Sequence, residues 1–149
     1  MWKQIEIRAV GRDERAQWQP LWQGYLDFYQ AKLPPENSDV TWARFHDPAE
    51  PMFVLGAYAD GRLSGIVHYI LHRSTWSPGG YCYLQDLFVD PAARGLGLGR
   101  ALIEAVYAKG REAGVGRVYW LTHESNATAR ALYDRVADNA GFIQYRKSL

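Results

Sequence analysis

Apolar and polar residues alternate at the start of the chain, and a helical spacing follows. Ile5, Ile7 and Ala9 are separated by charged residues, so Met1 to Val10 is predicted to form a strand with one solvent-facing side. The next apolar residues recur every three or four positions, which predicts an amphipathic helix; they are Trp18, Leu21, Trp22, Tyr25 and Tyr29. Pro34-Pro35 ends this helix, and Thr41 to Phe45 is predicted as a short second helix.

Two β-rich segments with a turn dipeptide between them predict a hairpin in the middle of the chain. Met52 to Tyr58 and Leu63 to Leu71 flank Asp60-Gly61, a pair typical of tight hairpin turns. A loop rich in glycine follows. Tyr81 to Val89 is then a nearly continuous apolar run, as expected of a central strand.

The second half of the chain alternates helix with strand. Helical spacing begins near Gly97 and is expected to end at a capping glycine, Gly114. Val118 to Thr122 is predicted as a strand, Asn126 to Ala137 as a helix and Phe142 to Arg146 as a last strand. The whole pattern predicts an α/β fold in which a mixed sheet carries helices on both faces.

Composition and charge narrow the class of protein. No linker, repeat or low-complexity segment divides the chain, so residues 1–149 are predicted to form a single domain. A net charge of +1 gives no basic surface for nucleic acid or for an anionic membrane. With one cysteine, Cys82, and no signal peptide or bilayer-length apolar run, a cytoplasmic location is expected. The four histidines lack the spacing and companions of a metal site, so no metal is expected.

Three alternating glycines, Gly95, Gly97 and Gly99, lie between an apolar strand and an amphipathic helix. Without Cβ atoms, successive backbone N–H groups can converge on an anion at the positive end of the helix dipole. Arg94 adds a guanidinium that suits phosphate oxygens. The residues after Gly99 do not fit a Walker A loop, and the glycine spacing does not fit a dinucleotide fingerprint. The pattern therefore indicates a pyrophosphate cradle, with a plain tight turn as the alternative.

Two motifs in this order resemble those of a known superfamily. Arg94-x-x-Gly97-x-Gly99, preceded by Leu87-Phe88-Val89-Asp90-Pro91, resembles the coenzyme A loop of the GNAT superfamily N-acetyltransferases. The segment Asn126 to Tyr133, followed by Gly141-Phe142, is similar to that family's second signature. The helix around Leu21 to Tyr29 resembles that of the histone and polyamine acetyltransferase branch. The resemblance implies a mostly antiparallel central sheet of six to seven strands with helices on both faces.

The resemblance also implies that acetyl-CoA is the co-substrate and that no metal takes part. The Leu87 N–H would face the thioester carbonyl, the Val89 N–H the pantetheine arm, and the amides of Arg94 to Arg100 the pyrophosphate. Asn126 could hold a pantetheine amide, with helix N-capping as a compatible second role. The coenzyme A-binding residues implied by the resemblance are Leu87, Phe88, Val89, Arg94, Gly95, Leu96, Gly97, Leu98, Gly99, Arg100, Asn126, Arg130 and Tyr133.

Tyr133 occupies the family's position for the general acid that protonates the leaving thiolate; a core tyrosine is the alternative. The sequence indicates the general base less clearly. Polyamine relatives carry a glutamate at the position of Gln85, and the amide of Gln85 cannot take a proton. Alternation puts Asp86 on the opposite strand face from Gln85. Asp86 is the favoured base, acting directly or through water. The alternative is that Asp86 has a structural role in a buried hydrogen-bond network. His123 and Glu124 are weaker candidates.

The acceptor site is expected to use Tyr25, Tyr29, Trp76 and Asp86, because aromatic faces and a carboxylate can surround a cation. Core packing is the alternative for the helix aromatics. The expected acceptor is a small-molecule amine, such as a polyamine or amino acid, or a peptide lysine, which attacks the thioester directly. The competing function is a sensor that binds coenzyme A without catalysis. It is supported by Gln85, which replaces the glutamate of the polyamine relatives. The aromatic segment Phe142 to Tyr145 suggests pairing across a homodimer.

Overall fold

The computed structural model describes residues 3–149, so the start of the predicted first strand, Met1 and Trp2, lies outside the described residues. One five-stranded sheet has the strand order β1-β2-β3-β4-β5, with antiparallel pairing from β1 to β4 and parallel pairing between β4 and β5. The elements are β1 (Ile5–Ala9), α1 (Arg15–Phe28), α2 (Pro35–Phe45), β2 (Met52–Ala59), β3 (Arg62–His72), β4 (Tyr81–Val89), α3 (Leu98–Ala113), β5 (Val118–Tyr119) and α4 (Ala127–Val136).

The predicted hairpin and the glycine cap are confirmed. Asp60 and Gly61 both have positive φ, 50° and 80°, as a two-residue turn between β2 and β3 requires. Gly114 ends α3 with φ 75° and ψ 23°, in the left-handed region that glycine enters without a steric penalty.

Helices cover both faces of the sheet, as predicted. On one face, α1 and α2 pack on a core whose fully buried members include Trp18, Tyr58 and Ile66. On the other face, α3 and α4 pack on a second core centred on Val67, Leu102 and Ile103, with Leu132 and Tyr133 of α4 at its margin. A hydrophobic face on each side of the sheet explains why β2 and β3 are almost continuously buried.

Gly24 lets α1 approach β4 closely. A glycine inside a helix costs about 1 kcal/mol relative to alanine. A Cβ at this position would lie 2.8 Å from two ring atoms of Phe88 on β4. The glycine therefore brings the face of α1 that carries Tyr25 against the strand that carries Asp86.

The number and length of the later strands correct the prediction. The sheet has five strands among residues 3–149, not six to seven, and β5 spans Val118–Tyr119 rather than reaching Thr122. Phe142 to Arg146, predicted as a last strand, has no strand partner, and the side chains of Phe142 and Tyr145 are 87% and 90% exposed. Apolar spacing indicates which segments can form strands, but a strand also needs a neighbouring edge with which to pair.

The second helix is longer than predicted. It spans Pro35–Phe45, because Pro35 at its start has no N–H to satisfy and a φ already suited to the first helical turn. No helix in the described part of the chain is long and apolar enough to cross a membrane.

Candidate active site

A β-bulge in β4 determines which way Asp86 points. Leu84 pairs with Tyr69 and Asp86 pairs with His68, so Gln85 is an extra residue with no partner on β3. From Leu84, which lies in the core beneath α3, strict alternation would turn Asp86 to that same face. The bulge reverses the alternation and turns Asp86 toward α1 instead.

Asp86 lies in a part-buried, tyrosine-lined position. Its side chain is 14% exposed, and its Oδ2 lies 2.8 Å from His68 Nδ1. Tyr25 of α1, Tyr29 just after α1 and Tyr83 of β4 lie around it. Burial raises the pKa of each of these hydroxyls, and the nearby charge of Asp86 raises it further; the Tyr25 hydroxyl also interacts directly with the carboxylate. The arrangement places one negative charge among hydroxyl groups and aromatic faces, which suits a cationic amine.

The sheet opens between β4 and β5 directly beside this carboxylate. The two strands pair only at Cys82 with Val118 and at Tyr83 with Tyr119. The N–H of Asp90 donates to Ser64 O at 2.8 Å, on the β3 side. Because backbone groups alternate along a strand, the N–H groups of the residues one and three before Asp90 point to the open edge. These are Val89 and Leu87, the two positions implied for the pantetheine arm.

The glycine-rich segment forms an anion cradle at the start of α3. Gly95 and Gly97 have φ of 85° and 76°, which a residue with a Cβ rarely adopts. Backbone N–H groups from Gly95 to Arg100 donate to no acceptor within residues 3–149. The guanidinium of Arg94 is exposed beside them, and Arg100 forms an ion pair with Glu104 at 2.9 Å. Free N–H groups at a helix N-terminus fit a pyrophosphate.

Tyr133 of α4 packs against Trp120, the residue that follows β5. The Tyr133 ring meets Trp120 edge-on at 5.4 Å, and burial raises its pKa, with a smaller contribution from Tyr29. Asn126 caps the helix, since its Oδ1 accepts from the N–H of Ala129 at 3.4 Å. The charge of Tyr29, just after α1, thus reaches Tyr133 of α4, although the two helices cover opposite faces of the sheet.

The remaining candidates from the sequence make contacts that do not involve Asp86. Trp76 is 79% exposed and its ring lies 5.9 Å from Arg117 Cζ, away from the tyrosines around Asp86. Arg130 donates to the carbonyl oxygen of Glu124 at 2.6 Å, and His123 Nδ1 lies 2.7 Å from Ser125 Oγ. The carboxylate of Glu124 and the ring of His123 are exposed, as is Gln85.

Sequence reasoning missed His68 and Tyr83. The four histidines were weighed only as metal ligands, and no spacing pointed from His68 to Asp86. Tyr83 lay inside an apolar run, where an aromatic residue is expected for packing alone. The bulge at Gln85, which no sequence pattern marked, brings both residues to Asp86.

A mixed sheet that opens between two parallel strands, beside a glycine-rich helix start, is typical of an acyltransferase-type fold. Residues 18–137 match the model of the acetyltransferase (GNAT) family. The chain belongs to this family, and it is an acetyl-CoA-dependent N-acetyltransferase.

The relatives act on different amines. The chain is 35% identical over 148 residues to a D-amino-acid N-acetyltransferase of Saccharomyces cerevisiae, a match that covers 97% of this chain and 91% of the relative. It is also 38% identical over 63 residues to a thialysine N-ε-acetyltransferase of Caenorhabditis elegans. This match covers 42% of this chain and 39% of the relative. An aminoglycoside N-acetyltransferase solved with coenzyme A has the same fold, with a TM-score of 0.83 at 19% identity, covering 100% of this chain and 98% of that one.

Proposed function

We propose that the enzyme acetylates a primary amine of a small molecule, and that this amine binds beside Asp86. The observation that carries the proposal is the part-buried carboxylate among Tyr25, Tyr29 and Tyr83, at the point where β4 and β5 separate. A negative charge in an aromatic surrounding attracts an ammonium group. Relatives named for D-amino acids and thialysine support a small acceptor over a peptide lysine, and the histone/polyamine branch stays a prediction.

The donor half of the site is proposed to bind acetyl-CoA along the open edge of β4. The N–H of Leu87 would meet the thioester carbonyl, where negative charge develops during attack, and the N–H of Val89 the pantetheine arm. Phe88 between them packs against α1 and holds this stretch in place. The amides from Gly95 to Arg100 would bind the pyrophosphate.

Both ends of the reaction need a proton transfer. An alkylamine with a pKa of about 10.4 is neutral in about one molecule in 2,500 at pH 7, so the nucleophile must lose a proton before it attacks. We propose that Asp86 binds the ammonium and takes this proton, directly or through one water. Tyr133, kept protonated by the raised pKa of its buried hydroxyl, then donates to the departing thiolate.

The experiment is an acceptor screen with purified enzyme and acetyl-CoA, in which released thiol is measured. The panel holds D- and L-amino acids, thialysine, a polyamine, an aminoglycoside and a lysine peptide. At least one small amine is expected to exceed the peptide by about tenfold or more in kcat/KM. Release with the peptide alone, or with no member of the panel, would contradict the proposal.

Tyr133→Phe tests the proton donor in the same assay. With the best amine, kcat should fall by about a hundredfold, the usual contribution of one general acid. The dissociation constant of coenzyme A should stay within about threefold. Tyr107→Phe is the matched control, because its hydroxyl donates to Val136 O at the end of α4 and lies outside the proposed site. Unchanged kcat in Tyr133→Phe would remove this residue from the mechanism.

Three broader assignments accompany this function. We infer that residues 1–149 form one acetyltransferase domain, since both cores pack on the same sheet. A homodimer is proposed from the exposed apolar side chains of Phe142, Ile143 and Tyr145, which a second copy would cover. A cytoplasmic location is proposed because the one cysteine, Cys82, is buried and unpaired.

A further inference from the structure

Asp86 is the end of a chain of hydrogen-bonded side chains that begins in α1. The indole N–H of Trp18 lies 3.0 Å from His68 Nε2, and His68 Nδ1 lies 2.8 Å from Asp86 Oδ2. Trp18 is fully buried and His68 is 3% exposed. Three elements, α1, β3 and β4, therefore contribute one side chain each to a line that leads from the core to the acceptor site.

The hydrogen-bond partners determine where the proton of His68 resides. An indole N–H is a donor only, so Nε2 of His68 must accept and carries no hydrogen. The ring proton is then on Nδ1, where it is donated to the carboxylate of Asp86. Both nitrogens of the neutral imidazole are occupied, and the tautomer is defined by the contacts.

The packing around His68 holds its ring in this orientation. Its ring centroid lies 4.7 Å from Phe45, 5.2 Å from Trp22 and 5.9 Å from Trp18. Aromatic rings on several sides leave the imidazole little room to turn without moving α1 or α2. The cross-strand pairing of His68 with Asp86 follows from the bulge at Gln85, so the same irregularity that turns Asp86 toward the acceptor brings it to this donor.

We propose that His68, with its tautomer set by Trp18, is the positioning residue for Asp86. Its Nδ1–H holds Oδ2 and so fixes the carboxylate beside Tyr25, whose hydroxyl also interacts directly with Asp86, at the place where the acceptor amine would bind. His68 is not a proton relay, because a proton passed from Asp86 would find Nδ1 already protonated and Nε2 engaged by Trp18. A proton taken from the amine therefore leaves the site through solvent. This inference rests on the proposed role of Asp86 in binding the amine.

Replacement of His68 separates positioning from packing. His68→Leu keeps an apolar filling but removes the donor, so the KM for the amine should rise by about tenfold or more, as for a lost charge-assisted hydrogen bond. The KM for acetyl-CoA should stay within about twofold. In His68→Asn the amide nitrogen can take the place of Nδ1, so the amine KM should return to within about threefold of wild type, even if the protein is less stable.

Tyr58→Phe is the matched control for disturbing the same core. Tyr58 is buried in the core that contains Trp18, and its hydroxyl donates to Glu14 at 3.0 Å, outside the chain that ends at Asp86. It should lower the melting temperature and leave the amine KM unchanged. If His68→Leu and Tyr58→Phe raise the amine KM equally, or if His68→Asn does no better than His68→Leu, the positioning role is wrong.

A spectroscopic measurement tests the tautomer without any assay of activity. In a ¹⁵N-detected correlation spectrum at about pH 8, His68 should show a protonated Nδ1 and an unprotonated Nε2. The opposite tautomer would overturn the inference. Asp86→Asn distinguishes this failure from failure of the proposed function: if it leaves the amine KM unchanged, Asp86 does not bind the acceptor, whatever His68 does.

Discussion

Glu14, directly before α1, has a carboxylate that accepts hydrogen bonds from three directions. Arg8 donates to it at 2.8 and 3.0 Å, the N–H of Gly11 at 2.8 Å and the hydroxyl of Tyr58 at 3.0 Å. The bond from Arg8 is the main reason that its pKa falls to about 2. Asp86, by contrast, has one short hydrogen bond, from His68 at 2.8 Å, and a direct interaction with the Tyr25 hydroxyl. At the scale of residues, the number of donors distinguishes Glu14, which is fully paired, from Asp86, the carboxylate proposed to bind the acceptor.

The pKa of Glu14 makes a prediction about stability and pH. A carboxylate whose pKa is lower in the folded state stabilises that state above its unfolded value of about 4.5 and loses this contribution as pH falls toward 2. Glu14→Gln should therefore cost about 1–3 kcal/mol in the free energy of unfolding at pH 7. The difference from wild type should shrink between about pH 5 and pH 2, as measured by urea unfolding.

Glu112→Gln is the control for this measurement. Glu112 is exposed and its ion pair with Lys109 spans 3.5 Å, so its removal should change stability by less than about 0.5 kcal/mol at any pH. A pH-independent difference between Glu14→Gln and wild type would show that Glu14 acts through packing and not through its charge.

At the scale of elements, the segment from β4 to α3 has strong local sequence signals. The strand, the glycine loop and the helix were all predicted, because their signals lie in one contiguous segment, from Tyr81 to Ala113. The register inside β4 was not predicted, since a bulge is defined by the partner strand β3 and not by the residues around Gln85. Local sequence thus predicted the elements from β4 to α3 better than the register within β4.

Two glycines of this loop should respond differently to alanine. Gly97 has φ 76°, so Gly97→Ala forces a left-handed conformation that costs about 1–2 kcal/mol. It should lower the melting temperature by about 3–6 °C. It should also weaken coenzyme A binding about tenfold or more, because the loop N–H groups no longer converge on one point. Thermal melts without ligand and calorimetric titration with coenzyme A measure the two effects.

Gly99→Ala is the matched control for strain. Gly99 lies inside the first turn of α3, and an added Cβ would meet Leu132 Cδ2 at an ordinary 3.6 Å. Its melting temperature should equal or exceed that of wild type, since alanine favours a helix. An equal loss of stability in both variants would rule out the backbone conformation of Gly97 as the cause.

At the scale of the whole molecule, the sheet ends at a short edge while apolar side chains remain exposed. β5 has two residues, and the side chains of Phe142, Ile143 and Tyr145 are 87%, 77% and 90% exposed. Large apolar side chains grouped in this way mark a surface that another molecule covers. A second copy is the proposed partner.

The dimer prediction is tested by sedimentation. Wild type should sediment as a dimer at micromolar concentrations, and the double variant Phe142→Asp with Tyr145→Asp as a monomer, because charge at the contact opposes association. Leu33→Asp, at an apolar position that is 44% exposed near the end of α1, should leave the dimer intact. A monomeric wild type, or a double variant that stays dimeric, would contradict the proposed interface.

The sequence by itself determined the elements with a strong local period, the hairpin turn at Asp60-Gly61 and the two motifs that carry the family resemblance. These features depend on residues close together in the chain, where spacing and backbone preference decide the outcome. Only the tertiary structure decided that Asp86 faces α1, that His68 and Tyr83 join it, and that Trp76 does not. It also decided that Phe142 to Arg146 forms no strand within one chain. Strand pairing joins residues far apart in sequence, so register, bulges and edges depend on partners that no local pattern specifies.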